Sequence, residues 1–440
     1  MNSIWTESAD LPHFPTLKGN QKTDVLIIGG GIAGILCAHF LQEKGVDYAL
    51  LEGRTIGSGI TKNTTAKITA QHGLIYHKLW KSGGAEQAAL YFKANQEAVE
   101  TYAALCREID CDFERKTAYV YSLDNRRKLE KEAKALSKIG LHQQILETTE
   151  LPFSVAGAIA LEGQAQFHPL KFLAAIARNL NIYEHSFVRE RKKNAVVTEA
   201  GSMAFQKVIY TTHFPIDNTH GMYFLKLYQH RSYTIALKNA AKFKGMYVDE
   251  AKCGMSFRNA GDLLLIGGGD HRTGKKGGNW RELRDFAAKY YPTAEEVAFW
   301  ATQDCMSLDS VPYIGPYSKH MDHCFVATGF HKWGMTSAMT AARILTDLVL
   351  EKENPYETVF SPSRSMIKPQ LVWNGCESAK NLLTISSKRC PHLGCALKWN
   401  PLEHSWDCPC HGSRFDEEGK LLDNPANGDR KQDEKGGSVQ

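Results

Sequence analysis

A short apolar strand that runs into three consecutive glycines near the amino terminus restricts the possible folds more than any other stretch. Residues 24–28 (DVLII) predict a buried strand, and residues 29–34 (GGGIAG) have the spacing G-x-G-x-x-G. A helical segment follows over 35–44, and a second strand is predicted over 48–51. Strand, glycine turn, helix and strand at these distances predict a Rossmann-type α/β unit with a dinucleotide site.

Each glycine of the motif has a structural role. Gly29 permits the tight turn, Gly31 lets the backbone approach a pyrophosphate, and Gly34 allows close packing of helix against strand. Glu52, at the end of the second strand, is expected to accept hydrogen bonds from the adenosine ribose. A purely structural glycine turn is the alternative, and the spacing alone does not separate NAD from FAD.

The segments that flank this unit favour FAD. Residues 52–54 (EGR), 57–61 (GSGIT) and 63–67 (NTTAK) are small or carry hydroxyl groups, and we expect them to follow the pyrophosphate and ribityl chain. Much later, residues 324–335 (CFVATGFHKWGM) predict a strand and a glycine-rich turn before a helix, whose N-terminus is expected to point at the flavin ring. The other predicted cofactor contacts are Ile32, Ala33, Gly53, Arg54, Thr61, Thr65, Lys67, Gly329, Gly334, Met335 and Thr336.

With these motifs, residues 20–354 resemble the glycine oxidase, D-amino-acid oxidase and sarcosine oxidase superfamily of FAD enzymes. The matching pieces are the N-terminal glycine motif, residues 309–315 (DSVPYIG), and residues 327–329 (ATG) with 334–336 (GMT). The resemblance implies an α/β FAD-binding half interleaved with an antiparallel-sheet half that covers the flavin and holds the substrate. It also implies a cofactor contact at Val188.

The middle of the chain is consistent with this division. Residues 86–139 are predicted to be helical, and residues 155–270 alternate short β-rich runs with turns. Residues 263–271 (LLLIGGGDH) resemble a second dinucleotide loop, but no apolar helix follows, so a strand that ends in a bend is predicted. No separate NAD(P)H domain is therefore expected. The flavin part also lacks a helix-borne C-x-x-C, which argues against a disulfide reductase.

Residues 390–411 hold six possible metal ligands in two loops of related form. Cys390 and His392 give C-x-H, and Cys408 and His411 give C-x-x-H. One thiolate and one imidazole from each loop suit a 2Fe–2S cluster in which two cysteines hold one iron and two histidines hold the other. A structural zinc with a Cys₂His₂ or Cys₃His set is the alternative, although a C-x-H step is uncommon in zinc sites.

The two remaining cysteines, Cys395 and Cys410, are spaced to join the loops by a disulfide, which a reducing cytosol disfavours but burial against a cluster can protect. The whole stretch resembles the Rieske signature, C-x-H-x-G-C followed by C-P-C-H-G-S. This resemblance implies that Ser413 donates a hydrogen bond to the cluster sulfide. High-potential respiratory members carry a tyrosine where Phe415 stands, so a lower reduction potential is expected here.

The resemblance also implies a small all-β Rieske domain over residues 367–427. A segment with prolines and serines, residues 355–368, is expected to separate it from the flavin part, and only about twenty residues lie between that segment and Cys390. The base of the domain is therefore expected to be shortened. Residues 428–440 are charged and glycine-rich, and they are predicted to be a disordered tail.

Composition and charge exclude several other classes of protein. A chain of 440 residues with 43% hydrophobic residues is not largely disordered, and eleven cysteines are too few for a secreted disulfide scaffold. The net charge of +5 is mild, and the basic run at 189–193 is interpreted as a solvated hairpin tip rather than a nucleic-acid-binding surface. The first residues do not resemble a signal peptide, and glycines interrupt the apolar run at 25–41, so no membrane span is predicted. A cytoplasmic location is expected.

The combination of a flavin with a Rieske cluster suits a dehydrogenase. A flavin accepts two electrons as a hydride and releases them singly, whereas the cluster carries one electron at a time. We therefore predict oxidation of a small amine or amino acid at the flavin, with electrons leaving through the cluster to an external protein or quinone. An oxidase would pass them to O₂ and need no cluster. The alternative is an electron-transfer flavoprotein that relays electrons between partner proteins without a small-molecule substrate.

Three residues are candidates for the catalytic site. Amino-acid-oxidising relatives place an arginine shortly before the motif at 309–315, but residues 303–309 (QDCMSLD) contain none. Arg258 is the candidate substitute for binding a substrate carboxylate, with a structural ion pair as the alternative. Lys332 is expected to stabilise reduced anionic flavin or to hold an anionic substrate, and His331 lies beside it. For both, a position at a helix cap or on the surface is the alternative.

Overall fold

The computed structural model of the chain describes residues 2–217, 220–321 and 323–430. Its α-helices in chain order, α1 to α9, span Ile32–Glu43, Ile75–Leu105, Arg126–Ser137, Pro169–Ala177, Tyr223–Lys226, Trp280–Tyr290, Gly334–Val349, Glu357–Phe360 and Pro369–Leu383. Its strands, β1 to β21, span Gly19–Ile28, Tyr48–Leu51, Lys67–Ile68, Glu114–Ser122, Ile145–Leu146, Gly157–Gln166, Ile182–Tyr183, Glu190–Lys192, Ala195–Val197, Gly201–Tyr210, Leu227–Lys238, Met246–Asp249, Ser256–Ala260, Leu263–Arg272, Glu295–Ser307, Tyr313–Pro316, Cys324–Thr328, Lys398–Asn400, Ser405–Asp407, Arg414–Phe415 and Leu421–Asp423. None of the helices in these ranges is both long enough and apolar enough to cross a bilayer.

The first large sheet is the Rossmann-type half of the molecule. Its main path runs β16-β17-β10-β1-β2-β7, and β1 pairs in parallel with both β2 and β10. The predicted strand, helix and second strand are therefore present as β1, α1 and β2. Residues 25–28 of β1 are all buried, as expected for a parallel strand that is covered on both faces. Strands β8 and β9 form the short hairpin predicted for the basic run at 189–193.

The second large sheet runs β15-β11-β14-β13-β12-β4-β6-β3, with β5 added to β6. Its pairs are antiparallel apart from β4 with β12, which is parallel. The strands of the two sheets alternate along the chain, so the two halves are interleaved as predicted. Strand β14 lies inside this sheet and contains residues 263–271. The prediction of a strand there, rather than a second dinucleotide loop, is confirmed.

The prediction that residues 86–139 are helical is wrong in part. Helices α2 and α3 cover its two ends, but β4 crosses between them and pairs with β6. This strand, ERKTAYVYS, ends in a run of aromatic and β-branched residues that favour a strand, and Val120 and Tyr121 in this run are buried. Strong helix formers on both sides of β4 favoured the prediction of a continuous helical region, whereas pairing with β6 stabilises a strand there.

The C-terminal region consists of helix α9 and a small antiparallel sheet, β18-β19-β20-β21. Residues 369–383 form a helix, so the region predicted to be all-β over 367–427 is not entirely β, and the first strand of the small sheet begins only at Lys398. The start of the predicted tail packs on the small sheet, because the Asp429 carboxylate accepts a hydrogen bond from the Leu421 N–H at 2.8 Å. The rest of that tail, residues 431–440, lies outside the described residues.

An ion pair anchors the segment between the flavin part and the C-terminal region. Arg364 donates two hydrogen bonds to Asp309, both at 2.8 Å, and its guanidinium carbon lies 3.9 Å from the centre of the Tyr313 ring. Burial alone would raise the pKa of Asp309, but Arg364 outweighs it and lowers that pKa. A bidentate pair of this kind has one preferred geometry. The segment is therefore held against the motif at 309–315.

Candidate functional site

The turn between β1 and α1 has the close packing that the glycine spacing predicts. Gly29 has a φ of +113°, and a Cβ there would lie 2.7 Å from the Thr211 carbonyl oxygen. A Cβ on Gly34 would lie 1.9 Å from the Gly29 carbonyl oxygen, which leaves no room for any side chain. Helix α1 begins at Ile32, whose N–H donates to the Thr61 hydroxyl at 3.0 Å. The helix N-terminus is therefore placed as an anion site requires.

Glu52 lies at the end of β2, next to this turn. Its carboxylate accepts hydrogen bonds from the Gly30 N–H at 2.7 Å and from the Arg54 N–H at 2.8 Å. Burial raises the pKa of this carboxyl, although both hydrogen bonds oppose the shift. The side chain is therefore fixed at the place where a ribose hydroxyl is expected.

A cavity of about 970 Å³ runs from this turn between the two large sheets. That volume is at the upper end of the range for small-molecule sites, as a dinucleotide requires. Most of the predicted cofactor contacts line it, namely Gly29, Gly31, Ile32, Ala33, Glu52, Gly53, Arg54, Thr61, Thr65, Lys67, Val188, Gly334 and Met335. Gly34, Gly329 and Thr336 are not part of the lining, and the Thr336 hydroxyl instead donates to the Thr69 carbonyl oxygen at 3.0 Å. FAD fits this cavity by its volume and by its glycine-lined end.

Arg258 does not reach the cavity. Its guanidinium donates to the carbonyl oxygens of Thr65 at 2.9 Å and Ala66 at 3.0 Å, and it lies 5.4 Å from the centre of the Trp5 ring. All of these groups are structural parts of the wall. The expectation that Arg258 binds a substrate carboxylate is therefore corrected, and its place in the structure agrees with the structural alternative.

Lys67, by contrast, lines the cavity and titrates near neutral pH. Burial, together with the charge of Arg258, lowers the pKa of Lys67 to about 7. The unfolded chain keeps this lysine protonated up to its ordinary pKa of 10.5. The cost of enclosing the charge is therefore fully present below pH 7 and shrinks as the pH rises toward 10.5.

Lys67→Met is expected to stabilise the FAD-free protein most at or below neutral pH. We expect a gain on the order of 1–2 kcal/mol there, declining as the pH rises. Thermal unfolding of the FAD-free parent and variant, measured from about pH 6 to pH 9, checks this. Lys93→Met, at an exposed position of α2, is the control. The same pH-dependent difference in both variants would contradict the prediction.

At the far end of the cavity the predicted candidate Lys332 lies in a charged cluster whose other members the sequence did not indicate. Lys332 Nζ lies 2.9 Å from the Asp270 carboxylate, and His230 Nδ1 lies 3.1 Å from the same carboxylate. Burial alone would raise the pKa of Asp270, but His230 and Lys332 outweigh it and lower that pKa. Lys332 is therefore held on the cavity wall by an ion pair. Asp270 lies at the end of the run LLLIGGGD, for which the sequence predicts a strand that ends in a bend.

Asp304, on β15, is a second carboxylate of the same cavity. It accepts a hydrogen bond from the Ser232 hydroxyl at 3.0 Å, and burial raises its pKa although the charge of Lys332 opposes the shift. Asp270 and Asp304 together make this end of the cavity suitable for a cationic group on a ligand. Asp304 belongs to residues 303–309, a segment that was searched only for an arginine.

His331 lines the cavity beside Lys332 and carries no charge. Burial lowers the pKa of His331 to about 3, and its Nδ1 is buried with no hydrogen-bond partner among the described residues. His331 and Lys332 have φ values of +50° and +72°, conformations that cost a non-glycine residue about 1–3 kcal/mol. This strained turn before α7 places both side chains on the cavity lining, where the Lys332 side chain remains accessible to solvent.

The two Cys–His loops each contain a backbone turn of the same type. In the first loop the Gly394 N–H donates to the Cys390 carbonyl oxygen at 2.9 Å, and in the second the Gly412 N–H donates to the Cys408 carbonyl oxygen at 2.9 Å. The two glycines have φ values of +75° and +87°, which glycine adopts without strain. The related form of the loops in the sequence therefore corresponds to a repeated turn in the structure.

The four predicted ligands come together between these loops. The thiols of Cys390 and Cys408 are hydrogen-bonded to each other, and the ring centres of His392 and His411 lie 4.9 Å apart. All four ring nitrogens of the two histidines are buried without a hydrogen-bond partner among the described residues. Buried polar atoms without partners require an explanation such as a missing ligand. Paired thiols beside paired imidazoles are the donor set of a Rieske 2Fe–2S cluster, and the cluster fits these residues.

Neighbouring residues complete the centre. Cys395 and Cys410, the predicted pair, are joined by a disulfide with their Cα atoms 6.7 Å apart, so their sulfurs do not compete as ligands. The Ser413 hydroxyl hydrogen-bonds the Cys390 thiol and accepts a hydrogen bond from the Ala426 N–H at 3.0 Å. Ser413 therefore lies next to the ligand sulfurs, as the Rieske signature implies.

The second cluster loop packs directly on strands that line the flavin cavity. Gln229, on β11, donates to the carbonyl oxygens of His411 at 2.8 Å and Asn424 at 3.0 Å. Gln303, on β15, donates to the Gly412 carbonyl oxygen at 2.9 Å and to the Gln229 side chain at 2.7 Å. Both glutamines are buried. The loop is therefore fixed to the flavin part by hydrogen bonds from which water is excluded.

The histidine side of the cluster site is covered by the flavin part. The centre of the Phe214 ring lies 6.1 Å from that of His392 and 6.2 Å from that of His411. Phe214 follows β10 in the same short segment as Thr211, whose carbonyl oxygen contacts Gly29. One segment therefore connects the wall of the dinucleotide turn with the cluster histidines.

A buried ion network adds to this interface. Arg231, on β11, donates to the Glu403 carboxylate at 3.0 Å, and Arg414 of the small sheet donates to the same carboxylate at 2.9 Å. Burial alone would raise the pKa of Glu403, but the two guanidinium groups outweigh it and lower that pKa. A buried ion pair adds little net stability, whereas removing one partner is strongly destabilising. The network therefore favours one position of the C-terminal region relative to the flavin part.

Gln229→Leu is expected to loosen this contact. The carbonyl oxygens of His411 and Asn424 would lose a buried donor, at a cost of about 1–3 kcal/mol for each unsatisfied group. Amide hydrogens of residues 408–412 should then exchange on the order of tenfold faster or more, while those of α1 stay unchanged. Hydrogen-exchange mass spectrometry of the full chain measures this. Gln206→Leu, at an exposed position of β10, is the control, and equal exchange in parent and Gln229→Leu would refute the prediction.

Comparison with known proteins gives two family matches and a relative that aligns over almost its whole length. The family model described as FAD dependent oxidoreductase (DAO) matches residues 24–348, and the Rieske [2Fe-2S] domain model matches residues 359–432. The chain is 35% identical to the putative Rieske 2Fe-2S iron-sulfur protein YhfW of Bacillus subtilis (strain 168), over 96% of each chain. Both modules therefore match, and they occur in the order that the sequence predicted.

Solved structures share the fold of the flavin part. Glycine oxidase from Geobacillus kaustophilus has a TM-score of 0.68 at 21% identity, with 79% of this chain and 100% of that chain covered. L-proline dehydrogenase from P.horikoshii has a TM-score of 0.63 at 18% identity, with 78% and 98% covered. The chain therefore belongs to the FAD dependent oxidoreductase family and carries a Rieske domain after its flavin part, so its cofactors are FAD and a 2Fe–2S cluster.

Proposed function

We propose that this oxidoreductase is a cytoplasmic dehydrogenase that oxidises a small amine or amino acid and passes the electrons singly, through its cluster, to an external protein or quinone. When bound, FAD accepts two electrons as a hydride, and the Rieske cluster carries one electron at a time. The observation that carries the proposal is the direct packing of the second cluster loop on the cavity wall, through Gln229 and Gln303. An enzyme that passes electrons to O₂ needs no such contact.

The charged cluster at the far end of the cavity supports a substrate with a basic nitrogen. The carboxylates of Asp270 and Asp304 attract an ammonium group, and the Lys332 ammonium balances one of the two charges. An amine must be neutral before a hydride can leave its carbon. Asp304, whose pKa is raised, is suited to accept the proton that the substrate nitrogen gives up.

The arginines along the cavity wall favour amines over α-amino acids. Among the described residues of the lining these are Arg54 and Arg272. Arg272 donates to the carbonyl oxygens of Pro409 and Cys410, both at 3.0 Å, and Arg54 donates to the Leu422 carbonyl oxygen at 2.7 Å. Both guanidinium groups are thus engaged by the C-terminal region. A substrate carboxylate would therefore find no unengaged arginine among the described lining residues. The lysines of the lining are Lys67, Lys78, Lys252 and Lys332, and of these Lys332 is already paired with Asp270.

The reduction potential of the cluster depends on the residues around its ligand sulfurs. Ser413 supplies its hydroxyl next to the ligand sulfurs, but Phe415, which is fully buried, has no hydroxyl to offer. Hydrogen bonds to the sulfurs raise the reduction potential of such clusters. We therefore place the potential below that of Rieske centres that carry a tyrosine at this position.

Anaerobic mixing of the holoenzyme with a panel of amines and amino acids tests the proposed function. The expected result is loss of flavin absorbance, followed by the electron paramagnetic resonance signal of a reduced histidine-ligated cluster. Asp304→Asn should slow the loss of flavin absorbance by on the order of a hundredfold, while reduction by dithionite stays unchanged. Asp285→Asn, at an exposed position of α6, is the matched control.

Two other results would contradict the proposed function. If no amine or amino acid reduces the flavin, but a redox partner protein does, the electron-transfer flavoprotein is the correct function and the dehydrogenase is not. A substrate that reduces the flavin without any later reduction of the cluster would contradict the proposed electron path.

A further inference from the structure

Helix α9 has its polar and apolar faces reversed. Its buried positions are Asn374 and Asn381, each 2% exposed, whereas Val372 and Leu383 on the opposite face are 66% and 83% exposed. A surface helix normally turns its apolar face to the core and its polar face to water. No described part of the chain covers the apolar face of α9.

The inner, polar face of α9 is satisfied within the chain. Asn374 accepts a hydrogen bond from Arg272 at 2.9 Å and donates to the Leu225 carbonyl oxygen at 3.2 Å. Asn381 donates to the Glu377 carbonyl oxygen at 2.8 Å. Rotation of the helix would break the bonds of the buried Asn374 amide to Arg272 and Leu225, at about 1–3 kcal/mol for each group left unsatisfied. The outward orientation of the apolar face is therefore the stable one.

The apolar surface continues beyond both ends of the helix. Ile367, just before it, is 88% exposed, and Ile385, just after it, is 99% exposed. Leu393, in the first cluster loop, is 41% exposed, and Arg389 ties this loop to the helix end by donating to the Gly394 carbonyl oxygen at 2.7 Å. These exposed apolar side chains lie along α9 and at its two ends, a grouping that marks a binding surface. We call it the α9 patch, formed by Ile367, Val372, Leu383, Ile385 and Leu393.

The border of the α9 patch is positively charged. Residues 366–389 contain one acidic residue, Glu377, which pairs with Lys275 at 2.6 Å. The basic residues of the same segment are Lys368, Lys380, Lys388 and Arg389. Two copies of the patch placed face to face would bring like charges together, which disfavours self-association. An anionic surface would be attracted instead.

We propose that the α9 patch binds the surface of a lipid bilayer that contains anionic headgroups. An amphipathic helix with exposed aliphatic side chains and a basic border lies in the interface, with its apolar face among the acyl chains. Leu393 then brings the first cluster loop to the bilayer surface, where an apolar electron acceptor dissolves. The binding itself depends neither on the substrate nor on the direction of electron flow.

Co-sedimentation of the purified holoenzyme with lipid vesicles tests this proposal. Vesicles of phosphatidylcholine and phosphatidylglycerol should bind the enzyme on the order of tenfold more tightly than vesicles of phosphatidylcholine alone, and salt should weaken the difference. A Leu383→Ser/Ile385→Ser double variant should bind the anionic vesicles more weakly than the parent does, by a factor on the order of ten or more. Leu123→Ser, which is 54% exposed outside the patch, should bind like the parent.

Several results would overturn the proposal. These are failure of the parent to bind the anionic vesicles, undiminished binding by the double variant, and a parent dimer that the double variant converts to a monomer. The last result would make a second copy of the chain the occupant of the patch. Flavin and iron contents equal to those of the parent show that the variants fold. Reduction of the flavin by an amine, measured without vesicles, keeps a failure of this proposal distinct from a failure of the proposed function.

Discussion

Cys408→Ala is expected to abolish iron binding and to leave FAD in place. Cys408 is buried, and its backbone makes both hydrogen bonds of the second loop turn, with the Ser413 carbonyl oxygen at 2.8 Å and the Gly412 N–H at 2.9 Å. Alanine keeps these backbone bonds and removes only the thiolate. One of the two irons would then lose half of its protein ligands. We therefore expect iron and acid-labile sulfide to fall to near zero, as measured by metal and sulfide analysis.

The same variant should separate the two halves of the proposed reaction. A substrate that reduces the flavin of the parent should still reduce it in Cys408→Ala, because the cavity is formed by other residues. Reduction of an external one-electron acceptor should fall to the background rate. Absorbance of the flavin and turnover of the acceptor, followed in one anaerobic experiment, measure both effects.

Two further cysteines supply the controls. Cys376→Ala, at an exposed position of α9, should retain iron, FAD and acceptor turnover. Cys395→Ala should retain iron and lose stability, since Cys395 is bound to Cys410 and is not a ligand. Retention of iron by Cys408→Ala together with its loss in Cys395→Ala would show that the ligand set is wrong.

The parts of the molecule that could be predicted are those that short segments encode. The turn from Gly29 to Gly34 forms between adjacent elements, so its spacing is visible in a single stretch of sequence. The same holds for the two cluster loops, where Cys390 and His392 share one tight turn. Local spacing specifies local geometry. The glycine turn and the two cluster loops were therefore visible in the sequence, and the interleaved sheets followed from the family resemblance.

The parts that could not be predicted depend on contacts between distant segments. Asp270 and Asp304 lie on two strands that meet Lys332, which the sequence did indicate, only in the folded cavity. Arg258 is a charged residue on a strand, and only the fold shows that Thr65 and its neighbour accept its hydrogen bonds. Strand β4 was missed because the helix propensity of its flanks is a weak signal that tertiary pairing overrides.

The contact between the flavin part and the cluster gave no sequence signal at all. Gln229 and Gln303 are neutral residues within strands, and glutamines of this kind are ordinarily solvent-exposed. Their burial is explained only by the carbonyl oxygens that the second cluster loop presents. The proposed function thus depends most on the feature that the sequence could not provide. The Gln229→Leu experiment is directed at that feature.

Gly34→Ala is expected to abolish FAD binding by disturbing the fold. The added Cβ would lie 1.9 Å from the Gly29 carbonyl oxygen and 2.8 Å from the Thr211 hydroxyl oxygen. The first neighbour is backbone, so α1 must move away from β1, at a cost of about 3 kcal/mol or more. Purified protein should therefore lack flavin absorbance, and the FAD-free form should unfold at a lower temperature than the FAD-free parent.

Gly31→Ala distinguishes loss of the cofactor from loss of the fold. A Cβ at Gly31 would meet only the Thr61 hydroxyl oxygen at 3.4 Å, and the φ of −77° suits alanine, so the FAD-free protein should be as stable as the parent. The methyl group would nevertheless occupy the space that a pyrophosphate needs, and we expect the Kd for FAD to rise by on the order of tenfold or more. Fluorescence titration with FAD and thermal unfolding measure the two quantities. Gly375→Ala, on α9 with open space around it, should change neither FAD binding nor the fold. Unaltered FAD affinity in Gly31→Ala would mean that the pyrophosphate does not lie at this helix terminus, because no other effect of the substitution can offset its bulk there.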